Sequence, residues 1–326
     1  MSDKYLLEVD RLITSFETEN GLLRAVDQVS LKIPYGKTVG VVGESGCGKS
    51  VTAMSIVRLL PQPSGKILGG EIHFKGEDLL HASDKRMRQV RGAEIGVIFQ
   101  EPMSALNPVH RVGRQVAEVF RLHKKMSKKD AWDAATEMLG LLRIPAPEKR
   151  MMDYPHHLSG GMRQRVVIAL ALACRPDLVI ADEPTTALDV TVQAQILDLL
   201  GNFQKDMGMS VMLITHDLGV IAESCDEVVV MYAGRVVESA PVEELFENPL
   251  HAYTKALLNS IPTLDTPPKS RLNTIPGTVA GLGDHTHGCR FCQRMGRTSP
   301  VTRERPKFKE VQPGHWLEIC KECSNL

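Results

Sequence analysis

Apolar strands that alternate with helical stretches predict an α/β protein on a mostly parallel sheet, with an antiparallel β edge, an inserted helical subdomain and a small C-terminal extension. Three observations carry the prediction. The runs "TVGVVG", "DLVIADE" and "SVMLITHD" are apolar, short, and each is followed by a helical pattern. The block from about 101 to 165 loses strand character and reads as helices. After about residue 245 the alternation weakens. The resulting division is 1–245 for the main domain, with the helical subdomain at about 101–165, and 246–326 for the extension.

Element by element, "KYLLEVDRLI" and "LLRAVDQVSLKI" carry β-branched and alternating apolar residues and read as strands. "TVGVVG" is a buried strand that ends in glycine and meets the helix pattern "KSVTAMSIVRLL". "GGEIHFKGEDLL" reads as hairpin strands near a sheet edge. In "SKKDAWDAATEMLGLL", Ser127 and Asp130 make a capping-box-like start. Trp132, Ala135, Leu139 and Leu142 then share a face, and Pro145 and Pro147 end the helix. Strand and helix alternate again through "DLVIADE", "VTVQAQILDLLGNFQ", "SVMLITHD" and "EVVVMYAGRVVES". "TLDTPPKSRLNTIPGTVAGLGDHTHG" is rich in Pro, Gly and Thr and reads as loop.

Composition narrows the function classes. With 326 residues the chain makes one large domain or two. Lys+Arg and Asp+Glu are both 39, so charge gives no case for nucleic acid as partner. The longest apolar run, "VVIALALAC", is too short to span a bilayer and runs into Arg175 and Pro176. The N-terminus has charges where a signal peptide needs an apolar run. These features predict a chain on the cytoplasmic side, able to dock peripherally on a membrane protein.

"GESGCGKS", Gly43 to Ser50, fits G-x-x-x-x-G-K-S between a strand and a helix. Gly43, Glu44, Ser45, Gly46, Cys47, Gly48, Lys49, Ser50 and Val51 would line a phosphate cradle. Lys49 is expected at the β- and γ-phosphates of ATP, and Ser50 on Mg²⁺. "LVIADE" is an apolar strand that ends in two carboxylates. Asp182 is placed to organise Mg²⁺, and Glu183 to take a proton from the attacking water. Gln100, after "VIF", and His216, after "LIT", are polar groups just past other strands; Gln100 joins the Mg²⁺ set. "LSGGMRQR" offers a second anion cradle, with Ser159 as N-cap before Gly160 and Gly161.

The order of these motifs, with "ALD" at 187–189, resembles that of ABC-transporter ATPases. The resemblance implies that two such subunits pair head to tail, each ATP lying between one subunit's 43–50 loop and the other's LSGG. Ser159, Gly160 and Gly161 would then serve a partner's nucleotide. Phe16 would stack on adenine, with a core position as the even alternative, and Asp189 would face the partner subunit. "EPMSALNP", "NPLHAYTKALLNSIP", "IPGTVAGL" and "GHWLEIC" further resemble the oligopeptide/dipeptide/nickel importer branch, with Ala252 and Ala280 where proline is usual. That branch implies a sister ATPase, two membrane permeases and an extracytoplasmic solute-binding protein. Peptide, nickel chelate and other small solutes remain open as cargo. A soluble ABC ATPase would more often carry two cassettes or a basic surface. A non-hydrolysing metal-sensing module is disfavoured by Glu183 and His216.

Seven cysteines include Cys289, Cys292, Cys320 and Cys323, two Cys-x-x-Cys pairs separated by 27 residues. The family tail usually carries further cysteines where this chain has residues such as Met295 and Val301. Four thiolates suit zinc or a 4Fe–4S cluster. The bare spacing favours zinc and the resemblance favours iron–sulfur, and between the two the reading falls to iron–sulfur. His285, His287 and His315 are further donors, read as surface residues.

Overall fold

The computed structural model describes residues 4–19, 21–101, 105–186, 188–261, 274–279, 288–297 and 303–324. Most of "TLDTPPKSRLNTIPGTVAGLGDHTHG", part of "EPMSALNP", His285 and His287 lie outside them. The chain divides into two compact units: one chiefly Lys75–Ile214, the other Leu7–Lys32, Thr38–Phe74 and Thr215–Leu326. Among the described residues no helix is long and apolar enough to cross a membrane.

The strands in chain order are β1 (Tyr5–Thr18), β2 (Gly21–Pro34), β3 (Thr38–Val42), β4 (Gly65–Phe74), β5 (Glu77–Asp78), β6 (Ile95–Ile98), β7 (Leu178–Asp182), β8 (Ser210–Ile214), β9 (Glu227–Tyr232), β10 (Arg235–Pro241), β11 (Lys307–Gln312) and β12 (His315–Ile319). In the first unit β6, β7 and β8 run parallel, with Ile98 beside Ala181 and Asp182 beside Ile214. All five residues of β7 and of β8 are buried, as expected for parallel strands covered on both faces. The register brings the C-terminal ends of the three strands to one edge. A side chain at Gly96 would strike the Ala171 carbonyl at 2.4 Å, so the glycine lets β6 lie close to the helix Gly160–Leu172.

The helical block of this unit comprises Val112–Lys124, Lys128–Leu141, Pro147–Arg150 and the start of Gly160–Leu172. The cap at Ser127 is present: the Asp130 N–H donates to Ser127 Oγ, and that hydroxyl donates to the Asp130 carboxylate. Leu142 ends its helix, and Pro147 opens the next one, where a missing N–H costs nothing. The buried face uses Ala131, Ala135, Met138 and Leu139, with Trp132 only half-buried.

In the second unit β3 pairs in parallel with β9, β9 turns back into β10, and β12 and β11 continue antiparallel. A separate layer has β1 antiparallel to β4, with β2 on its other side. The chain beyond residue 245 continues the sheet, since Glu238 and Ser239 of β10 pair with Leu317 and Trp316. Tyr232, Tyr253, Phe291 and the four C-terminal cysteines join Val228, Val230 and Val237 in one core. Burying each large apolar side chain there contributes about 1.5–3 kcal/mol.

Candidate functional site

In the second unit the loop after β3 turns on glycines. Gly43, Gly46 and Gly48 all have positive φ. A Cβ at Gly43 would meet the Met231 carbonyl at 2.1 Å, and one at Gly48 the Ala25 carbonyl at 2.7 Å. The loop therefore needs glycine at both ends. Gly48 caps the helix Lys49–Ile56 from the left-handed region, with no side-chain cap, and no acidic residue stands in the first turn. That start keeps the dipole's positive end and its amides for an anion. Lys49 is 5% exposed, and its Nζ donates to the carbonyls of Gly43 (2.7 Å) and Glu44 (3.1 Å). Burial pushes the Cys47 thiol up against the pull of Lys49, so it stays protonated at neutral pH. Glu44, Ser45 and Gly46 form the turn's crest, and Ser50 and Val51 stand half-buried in the helix's first turn. Phe16 of β1 is half-buried and its ring approaches Gly65, so it is not a fully enclosed core residue.

In the first unit Asp182 ends β7, 3% exposed. Glu183 follows with φ +47, a region that non-glycine residues rarely occupy and that recurs at functional sites. Its N–H donates to the Ile214 carbonyl at 2.9 Å, fixing the turn. Glu183 Oε2 accepts from Gln100 Nε2 (3.0 Å) and from the Thr186 hydroxyl (2.8 Å). Gln100 and Glu183 thus meet, with Thr186 as a third member that the sequence did not single out. His216 belongs to the second unit, exposed on a bend just before Asp217, which caps Leu218–Ser224 by accepting from Gly219 and Val220.

The LSGG turn is also in the first unit. Ser159 caps Gly160–Leu172, its Oγ accepting from the Met162 N–H at 3.3 Å. Ser159 and Gly160 are exposed, and Gly161 is half-buried. A Cβ at Gly161 would lie 2.9 Å from Val192, so this helix start packs on the start of Val190–Met207. Asp189 caps that second helix, accepting from the Val192 N–H at 3.0 Å. Ser159, Gly160, Gly161 and Asp189 therefore form one surface of paired helix starts.

Cys289, Cys292, Cys320 and Cys323 are buried together, their sulfurs all within 4.8 Å of one another. Cys292 Sγ is 3.6 Å from Cys320 and 3.0 Å from Cys323, and Cys289 is 3.8 Å from Cys323. Hydrogen bonds from Cys289, Cys292 and Cys323 pull the Cys320 thiol far down, toward a thiolate. His315 corrects its reading as a surface residue. Its side chain is 1% exposed, with Nε2 2.8 Å from the buried Glu238 carboxylate.

A glycine-rich phosphate cradle on one unit and a carboxylate pair at parallel strand ends on the other define the class as P-loop nucleoside triphosphatases. The family model described as "ABC transporter" matches residues 26–186, and "Oligopeptide/dipeptide transporter, C-terminal region" matches 237–299. The chain is 54% identical over 311 residues to the probable peptide ABC transporter ATP-binding protein y4tR of Sinorhizobium fredii, covering 95% of this chain and 93% of that one. It is 50% identical to the oligopeptide transport ATP-binding protein OppD of Bacillus subtilis, covering 96% and 88%. Among solved structures, a dimeric post-hydrolysis state of the ATP-binding cassette MJ0796 with ADP and Pi aligns at TM-score 0.65 and 27% identity, covering 72% of this chain and 98% of that one. The chain belongs to the ATP-binding subunits of ABC transporters, and it is an ATPase whose hydrolysis is coupled to transport.

Proposed function

We propose that the chain drives import of peptides, as the peripheral ATPase on the cytoplasmic face of a membrane importer. Its partners are a sister ATPase, two permeases and an extracytoplasmic solute-binding protein. Relatives at 50–54% identity named for peptide transport, matched over nearly their whole length, support the cargo. The observation that carries the chemistry is Glu183, held in a strained turn with its carboxylate oriented by Gln100 and Thr186. Glu183 acts as general base toward the attacking water, and His216 steadies the γ-phosphate. Gly43 to Gly48 and Val51 shape the cradle, and Lys49 neutralises the β- and γ-phosphates. Ser50, Asp182 and Gln100 hold Mg²⁺. Phe16 stacks on adenine. Ser159, Gly160 and Gly161 close over the nucleotide of the sister subunit, and Asp189 faces that subunit. In domain terms, 1–245 handles nucleotide, with the helical subdomain at about 101–165 and the "EPMSALNP" region facing the permeases, and 246–326 is the extension.

The test is ATP turnover of the chain assembled with its permeases in vesicles, with solute-binding protein added. Peptide-loaded binding protein stimulates turnover. Stimulation by a nickel chelate instead, or no turnover at all, overturns the reading.

The four cysteines hold one metal centre in a structural role. A tetrahedral zinc, with Zn–S near 2.3 Å, keeps its sulfurs about 3.8 Å apart. All four sulfurs lie within 4.8 Å of one another, three of the pairs at 3.0–3.8 Å, a spacing that supports a single ion. A cubane cluster sits between its thiolates and holds them further apart. Anaerobic purification with metal analysis decides: one zinc per colourless chain is expected. Iron and sulfide in a brown protein would replace zinc by the cluster, and four freely titrating thiols would remove both.

A further inference from the structure

The extension reaches the phosphate cradle through two side chains. The Gly43–Glu44 peptide plane is gripped at both ends. Its carbonyl accepts from Lys49 Nζ, and its N–H donates to the Tyr253 hydroxyl at 3.0 Å. Gly43 alone would leave this plane free to rotate, since glycine tolerates both signs of φ. Tyr253 is fully buried, and its ring leans on Tyr232 (4.6 Å between centroids) and on Phe291 (5.5 Å). Phe291 lies between Cys289 and Cys292, so the cysteine core fixes the tyrosine's position.

Arg294 holds the same residue from its side chain. Nη1 and Nη2 donate to the two Glu44 carboxylate oxygens at 2.6 and 3.2 Å. The remaining contacts run to the carbonyls of Ile275, Pro276 and Gly277, and the guanidinium lies 5.9 Å from the Tyr232 ring centre. The side chain is 3% exposed, and a bidentate guanidinium–carboxylate pair at that burial is directional as well as strong. Nothing in these contacts faces a reacting atom. What they fix is where the first amide of the cradle points.

We propose that Tyr253 and Arg294 are positioning residues for the phosphate loop, which makes the C-terminal extension a determinant of ATP affinity. The proposal rests on the loop being the ATP site. A loop already ordered loses less entropy when the polyphosphate arrives.

The experiment measures ATP dissociation constants on the full chain, by displacement of a fluorescent ATP analogue. The variants are Lys49→Ala, Tyr253→Phe, Arg294→Met and Arg294→Lys, and unfolding midpoints are recorded alongside. Tyr253→Phe deletes one oxygen and is expected to weaken ATP by about 3–10-fold, the worth of one hydrogen bond. Arg294→Met is expected to weaken it about tenfold, with Arg294→Lys recovering only part because lysine cannot reproduce the fork. In the assembled transporter the KM for ATP rises while kcat at saturating ATP holds. A merely structural role would instead lower the unfolding midpoint and leave ATP affinity and KM unchanged. If Lys49→Ala abolishes binding while Tyr253→Phe and Arg294→Met both bind like the parent, the proposal is wrong and the ATP site stands. If Lys49→Ala also binds normally, it is the ATP-site reading that fails. Should Arg294→Met not fold, Tyr253→Phe decides alone.

Discussion

The two glycine-bearing helix starts differ in what their own chain supplies. The one at Gly48 has no side-chain cap, a buried ammonium inside its loop and a clamped first peptide. The one at Ser159 is capped by its own hydroxyl, exposed, and backed by a second helix start at Asp189. The first is equipped with its own cation. The second offers dipole and amides, worth about 0.3–1 kcal/mol per charge in exposed settings, and its nearby cation, the half-buried Arg163, is turned to the Leu158 carbonyl at 3.0 Å. A turn of that kind adds little to the affinity of an isolated subunit. It is suited to complete a site whose charge is already balanced elsewhere.

The sharpest way to break this comparison is at the chemistry both starts would serve. Glu183→Gln keeps size and both hydrogen-bond partners but removes the base. Turnover is expected to fall by about 10²–10⁴ with ATP binding retained. Near-parental turnover would remove Glu183 from its role. Next in size is Ser159→Arg. It is expected to leave ATP binding to the isolated subunit intact and to cut hydrolysis in the complex by about 10–100-fold, the cost of one charge-assisted hydrogen bond. If the isolated subunit loses ATP as badly as Lys49→Ala does, the turn works within its own chain and the contrast collapses. Ser159→Ala is the control for capping, expected to cost about 1 kcal/mol of stability through the lost Met162 bond.

The first start was fully legible in the sequence and its support was not. Glycines at fixed spacing after an apolar strand define the loop because backbone approach to a phosphate demands them locally. Asp182 and Glu183 were readable for a similar reason: a buried strand announces where it ends. The orienting Thr186 lies only three residues from Glu183, yet a threonine in a turn carries no distinctive pattern. Tyr253 and Arg294 act across 209 and 250 residues, and no periodicity records such a contact. His315 misled for the same reason. Histidine in a short polar segment reads as surface until its partner Glu238 is seen.

A third, smaller test concerns the segment behind the first start. Ala25 closes against Gly48, and two residues on, Asp27 is 2% exposed, taking contacts from Arg235 (2.9 Å), Arg290 (2.7 Å) and Arg305 (3.2 Å). Burial pushes the Asp27 carboxyl up, but the Arg235 and Arg290 guanidiniums overrule it and hold it at about 2, from 3.8. A carboxyl lowered on folding stabilises above its unfolded value and loses that stability as pH falls through the folded one. The expected contribution is on the order of 2 kcal/mol, present above about pH 4 and lost toward pH 2. Denaturant midpoints followed down that range should show the loss. In Asp27→Asn the chain should start less stable, with that acid step gone. An unchanged step would assign it to other carboxylates.

The smallest expected effect joins the cysteine core to the first start. The helix Arg290–Arg294 begins at Cys289, which accepts the Cys292 N–H at 3.5 Å, and it ends at the arginine that grips Glu44. The Cys323 carbonyl accepts the Ala252 N–H at 2.7 Å, one residue before Tyr253. Both arms of the clamp therefore start at cysteines. Replacing Cys320 and Cys323 together by serine removes two of four thiolates while keeping the Cys323 carbonyl that accepts the Ala252 N–H. ATP affinity of the full chain is expected to fall by no more than about tenfold, the worth of the clamp's hydrogen bonds. The paired helix starts at Ser159 and Asp189 should be indifferent, since the cap bonds to Met162 and Val192 involve no residue of the extension. Hydrogen exchange separates the two. Faster exchange at the Glu44 and Ala252 amides, with Met162 and Val192 unchanged, is the expected pattern. Equal loosening at all four would mean that the cysteine core stabilises the chain at large and that the two starts share one support.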